Sequence, residues 1–149
     1  MRDNQIKYKL REEIFQRAKY RCEYCLSPAR YSLQPFVVEH IMPLAKGGTS
    51  DLENLACSCG GCNGHKYNKT EAVDPAENRN TRLFNPRIHL WRDHFVWSPD
   101  FSEIVGISSI GRASVVALQL NRRGLVNIRR LLLEAGEHPP VSVPEHPTD

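Results

Sequence analysis

Cys22 and Cys25 form one C-x-x-C pair (CEYC), and Cys59 and Cys62 form a second (CGGC). Two such pairs close one tetrahedral Zn2+ site, because each short turn offers two thiolates and four complete the shell of a structural zinc. The remaining cysteine, Cys57, reads as a buried thiol. Exchanging it for Cys59 as a ligand would stretch the second pair to C-x4-C. A single C-x-x-C pair also serves as a redox dithiol, but that motif normally follows a strand in a thioredoxin-like βαβ pattern, and neither pair clearly does.

Between the pairs run VVEHIMPLAKGG and DLENL, and NGHK follows the last cysteine. Hydrolysing a phosphodiester needs an activated water in line with the leaving oxygen, and positive charge on the pentacovalent phosphate. His40 suits the general base, since imidazole titrates near neutral pH. Glu39 beside it supplies a hard oxygen for Mg2+ or Mn2+. Asn63 supplies a second, neutral oxygen, and His65 is its rival as ligand. Asn54 suits orienting the base through a hydrogen bond that fixes its tautomer. Lys66 suits a nonbridging phosphate oxygen. Each has a plainer use as well: His40 packed, Glu39 solvated on a strand, Asn54 and Asn63 capping turns, Lys66 as surface charge.

The elements that must position these groups are legible in part. Leu10, Ile14, Phe15 and Ala18 fall on one face of a charged segment, which predicts a helix ending near Tyr20 and delivering the first cysteine pair. YSLQPFVVEHI reads as a strand, with Pro35 at a bulge or edge and Pro43 closing it. Strict alternation puts Glu39 and His40 on opposite faces, so the backbone must twist or leave the strand where both are needed. AKGGTSDLENLAC reads as a loop, with Gly47 and Gly48 allowing a tight turn. Residues 62–69 read as a short helix of poor propensity that only metal or packing would hold.

The order C-x-x-C, EHIMP, GG, ENL, CGGCN and HK, over roughly residues 21–69, resembles the HNH endonuclease family. The resemblance implies a ββα-metal (His-Me finger) core, a hairpin and a helix around one catalytic ion, inside an α+β fold. It implies that His40 is the general base, that Glu39 and Asn63 bind the ion, and that Asn54 orients the base: an H-N-N form with Glu where Asp is commoner. The cysteines then match the family's structural zinc knuckle, separate from the catalytic ion. The implied partner is double-stranded DNA, cut to 5′-phosphate and 3′-hydroxyl ends.

Beyond residue 70 the chain extends this core. TEAVDPAENRNTRLFNPRIHLW is polar and irregular, with breakers at Pro75 and Pro86. Residues 94–97 and 103–108 read as a hairpin turning near Pro99 and Asp100. Helices are expected from about Arg112 and over VNIRRLLLEAG, the latter stopped by Gly136. The expected organisation is a zinc-stapled nuclease core over 1–70, a hairpin and helical extension over 71–136 packed on it, and a proline-rich tail over 137–149, disordered or docked as an extended strand.

The formal charge of +3 falls to about +1 once four thiolates bind one Zn2+, so whole-chain charge says little about nucleic acid. Local arginines matter more: Arg79, Arg82, Arg87, Arg112, Arg122, Arg123, Arg129 and Arg130, of which Arg87 is the preferred DNA contact for its nearness to the core. No apolar run is long enough to span a membrane, and the N-terminal residues lack the apolar stretch of a signal peptide. The expectation is a cytoplasmic protein without a disulfide framework. Two rivals to a nuclease stand: a noncatalytic zinc module that binds nucleic acid or protein, and a redox protein.

Overall fold

Why the first segment is helical follows from its composition: Arg, Glu, Gln and Lys around a narrow apolar stripe are good helix formers. A computed structural model describes residues 2–143, with side chains from residue 7 onward, and it opens with α1 over Arg2–Arg17. The helix ends three residues earlier than Tyr20, where Lys19 and Tyr20 both turn left-handed (φ 55° each) and swing the chain into the first cysteine pair. Ile14, Phe15 and Ala18 are buried beneath it.

Strands β1 (Val37–His40) and β2 (Leu55–Ser58) form an antiparallel hairpin in which Glu39 faces Ala56 and His40 faces Leu55 across the ladder. Helix α2 (Gly60–Lys66) follows at once and packs back on β1. Two arginines of α1 hold this unit from outside. Arg11 donates to the carbonyl of Phe36 at 2.5 Å, and Arg17 donates to the carbonyls of Leu52 and Leu55 at 3.0 and 2.6 Å. The chain therefore builds an α+β fold with the ββα order at its centre.

Strand β2 corrects the loop expected there. All four of its residues are buried, so the sequence LACS carries no alternation to betray it. The polar stretch after residue 70 is likewise not irregular: β3 (Glu71–Asp74) pairs with β4 (Arg79–Arg82). Its outer face is solvated, and its turn is held by Asp74, whose side chain accepts from the amide of Ala76 at 3.0 Å. Helix α2 starts two residues earlier than expected because Cys59 caps it, its sulfur accepting from the Cys62 amide at 3.4 Å.

The second hairpin, β5 (Phe95–Trp97) with β6 (Ile104–Gly106), lies within the arms expected from sequence. Helix α3 (Ser109–Ala117) begins three residues before Arg112, because the Ser108 hydroxyl caps the amide of Gly111. Helix α4 (Arg123–Glu134) ends as expected at Gly136, whose φ of 75° lets the last carbonyls be capped by the amides of Gly136 and Glu137.

Buried apolar side chains from both halves, among them Ile14, Phe36, Leu55, Phe84, Trp91, Leu118 and Leu125, form one continuous cluster. The start of the tail is docked: His138 is buried and bonds the carbonyl of Phe101 at 2.7 Å, and Ser142 accepts from Lys19 at 3.0 Å. The rest of the expected tail, 144–149, lies outside the described residues. No helix among the described residues is long and apolar enough to cross a membrane.

Candidate metal centre and active site

The ligand atoms of Cys22, Cys25, Cys59 and Cys62 all lie within 4.8 Å of one another, and all four residues are buried. The sulfurs of Cys25 and Cys59 are 3.8 Å apart. A tetrahedron with Zn–S bonds of about 2.3 Å has edges of about 3.8 Å. Four soft donors at that spacing, closed from water, fit a structural zinc. Cys57 takes no part in the cluster; burial, then the neighbouring Glu23 carboxylate, pushes its thiol up to about 12.

The two residues between Cys22 and Cys25 knit the centre to the rest of the protein. Glu23 accepts from the Cys57 amide at 2.9 Å and is ion-paired with Arg87. Burial pushes its carboxyl up while Arg87 opposes the shift. Tyr24 donates its hydroxyl to Glu39 at 2.5 Å, and its carbonyl accepts from the Trp91 indole at 3.0 Å. Neither residue was singled out by the sequence, where both look like spacers.

Glu39 points inward. It is 3% exposed, and the ammonium of Lys66 stands 2.5 Å from its Oε1. That oxygen has no properly directed hydrogen bond, so the contact is an ion pair between closely approached charges. Lys66 directs its bonding instead to the carbonyl of Ile41 at 2.8 Å, with that of His40 at 3.5 Å. Burial pushes the Glu39 carboxyl up, and Lys66 and Tyr24 draw it back.

His40 lies on the partly exposed side of β1, its Nε2 3.0 Å from the hydroxyl of Ser50. Asn54 bonds to backbone rather than to the His40 ring. The Asn54 carboxamide accepts from the amide of Met42 at 2.8 Å and donates to the carbonyls of Met42 and Thr49 at 3.0 and 2.7 Å. It pins the two ends of the loop that carries Ser50, so any effect on His40 passes through that loop. Gly48 belongs to the same device: a Cβ there would lie 1.8 Å from the Met42 carbonyl oxygen.

On α2, Asn63 and Lys66 are one turn apart, and Lys66 is the one that reaches β1, whereas His65 is displaced about 100° from Lys66 and about 200° from Asn63.

Lys66 and Arg87, the residues expected to contact phosphate, are both turned inward. They are 1% and 6% exposed, and each is spent on a buried carboxylate. Three more arginines are engaged within the protein, Arg129 buried and Arg112 and Arg122 half-buried. Arg112 forms a two-pronged bond with Asp74, Arg129 donates to the carbonyls of Leu120 and Ser102, and Arg122 donates towards Cys59 and Cys62. Arg79, Arg82, Arg123 and Arg130 remain exposed. Arginine clusters in a sequence do not say which members solvate and which cross-link.

Residues 22–69 match the model of the HNH endonuclease family. This segment, from the first cysteine of the cluster to just past α2, is homologous to that family and contains the cysteine cluster and the ββα unit. No curated protein and no solved structure matches the chain.

Proposed function

We propose that the chain is a metal-dependent endonuclease that hydrolyses phosphodiester bonds of double-stranded DNA, with His40 as general base. One observation carries this: the His40 ring stands on the partly exposed side of a ββα unit that matches the HNH endonuclease model, positioned by Ser50 at 3.0 Å. In the tautomer whose Nε2–H donates to the Ser50 hydroxyl, Nδ1 is free to take the proton from water, since the bond at one ring nitrogen sets the role of the other. Asn54 acts as a positioning residue by holding the loop of Ser50.

Glu39 and Asn63 are the donors that would hold a divalent ion. What supports this is the Glu39 Oε1 atom, buried, without a directed hydrogen bond and approached by Lys66, which follows Asn63 by one turn of α2. When bound, Mg2+ or Mn2+ supplies charge stabilisation for the phosphorane and the departing 3′ oxygen. The Lys66 ammonium is the charge it would replace at Glu39. For the DNA itself, Arg82 takes the role expected of Arg87: it is exposed and lines a groove of about 320 Å3 with Ile41 and Met42, directly after His40.

A second reading, a noncatalytic zinc module that binds nucleic acid or protein, draws on the same ion pair. Glu39 already has a cation in Lys66 and has no need of another. Incubating zinc-loaded protein with supercoiled plasmid in Mg2+, Mn2+ or EDTA separates the two. A nuclease nicks or linearises the plasmid with either divalent ion and not in EDTA, and His40→Ala abolishes the activity with zinc content intact. A His40→Ala variant that cuts at the parent rate removes His40 as base, and an inert parent protein leaves the binding module.

A further inference from the structure

The family match stops at residue 69, but the zinc cluster is touched from well beyond it. Arg122, the N-cap residue just before α4, lays its guanidinium against the second cysteine pair: Nη2 is 3.3 Å from the sulfur of Cys59, and Nη1 is 3.6 Å from that of Cys62. Nη1 also approaches the carbonyls of Gln119 and Leu118 at 3.2 and 3.4 Å, which anchor the side chain at the end of α3.

A second observation points the same way from the other side of the contact. A Cβ added at Gly61, inside CGGC, would lie 2.3 Å from Nη2 of Arg122, whereas one at Gly60 would meet nothing within 4 Å. Of the two glycines between the ligands, one is thus shaped to admit the guanidinium.

From this we infer that Arg122 is part of the zinc centre, a positioning residue that donates hydrogen bonds to two ligand thiolates and retains the metal. Four thiolates around Zn2+ leave two excess negative charges in a buried place. A forked, always-charged donor can bond two sulfurs at once, which a lysine ammonium on a flexible stem does less well. Hydrogen bonds to ligands hold them in the geometry the metal needs, and their loss typically costs 10–100-fold in metal affinity. Because the backbone of Arg122 also begins α4, the same residue ties the extension to the metal.

The test is zinc release from the full-length, zinc-loaded protein into excess chelator with a chromogenic zinc indicator, beside the thiolate-to-metal charge-transfer band of the cobalt(II)-substituted protein. Arg122→Met keeps an apolar stem of similar length and should speed release about 10–100-fold and shift the cobalt band. Arg122→Lys should fall between Met and parent, and the exposed neighbour change Arg123→Ala should match the parent. Release from Arg122→Met within twofold of the parent overturns the inference, and so does equal release from the Met and Lys variants, which would leave Arg122 as packing only. Should Arg122→Met not fold, Gly61→Ala decides, since it displaces the guanidinium but keeps Arg122 at the start of α4. Faster release and a shifted band in Gly61→Ala, with Gly60→Ala unchanged, support the inference; parental values in both end it. Plasmid cleavage does not enter this readout, so the nuclease proposal stands or falls separately.

Discussion

The ammonium of Lys66 and the carboxylate of Glu39 meet at 2.5 Å with both side chains closed from water. Removing one partner strands the other as a buried charge, at a cost of about 3–5 kcal/mol, whereas removing both avoids that penalty. Lys66→Met should therefore lower urea-unfolding stability by about 3–5 kcal/mol, and the double variant Glu39→Gln, Lys66→Met should recover part of the loss. Additive losses in the double-mutant cycle would mean the pair is not coupled.

Asn54 makes three hydrogen bonds to the backbone that flanks the Ser50 loop. At about 0.5–1.5 kcal/mol each, and with water able to replace some of them, Asn54→Ala should cost about 1–3 kcal/mol. Amide hydrogen exchange should quicken at Met42 and nearby in the loop while zinc content is unchanged. Plasmid cleavage should fall further than the unfolded fraction accounts for; cleavage that tracks stability alone would leave Asn54 with no link to His40.

Three glycines should respond differently to alanine. Gly48→Ala collides with the Met42 carbonyl and must open the Asn54-pinned loop, so cleavage should be lost with zinc retained. Gly47 is left-handed at φ 89°, and alanine there should cost about 1–2 kcal/mol. Gly64 faces open space within α2, where alanine should add up to about 1 kcal/mol of stability. Thermal melts of the three proteins give the order directly.

Acid should destabilise the protein in two windows. His89 is held down to about 4 by burial and by His94 and Arg82 nearby, and its Nδ1 accepts from the Asn85 amide at 3.0 Å, which requires the neutral ring. Its folded value lies below the unfolded value of about 6.5, so its contribution is complete above about pH 6.5 and is lost as pH falls towards 4. Asp74 is held at about 2 by hydrogen bonds from Arg112, so its contribution is complete above about pH 4 and disappears as pH falls towards 2. Urea midpoints of parent and His89→Gln should converge between pH 6.5 and 4. Loss of zinc from the thiolates is common to both proteins and cancels in the difference; a constant gap across that range would rule out His89.

The cysteine cluster was legible because a structural zinc demands a donor type at a short fixed spacing, and Cys22, Cys25, Cys59 and Cys62 satisfy it in the chain before any folding is known. The helices α1 and α4 were legible from their stripes, and β5 and β6 from their aromatic and β-branched residues. Strand β2 was not, since burial on both faces erases the alternation that marks a strand. Nor were the fates of Lys66, Arg87, Arg112, Arg122 and Arg129. Each is charged, and a charged side chain reads as surface unless its partner is known; Glu23, Glu39, Asp74 and the thiols are distant in sequence. The tension between Glu39 and His40 was legible: alternation separates them, and the structure turns the first to Lys66 and leaves the second beside Ser50.

The Glu23–Arg87 pair bridges the segment that matches a known family and the part of the chain that does not. Its consequence is that the matched segment does not contain all the partners of its own buried groups. Transplanting residues 22–69 into another scaffold would carry a carboxylate into the interior without the guanidinium that answers it, and would leave Tyr24 without Trp91.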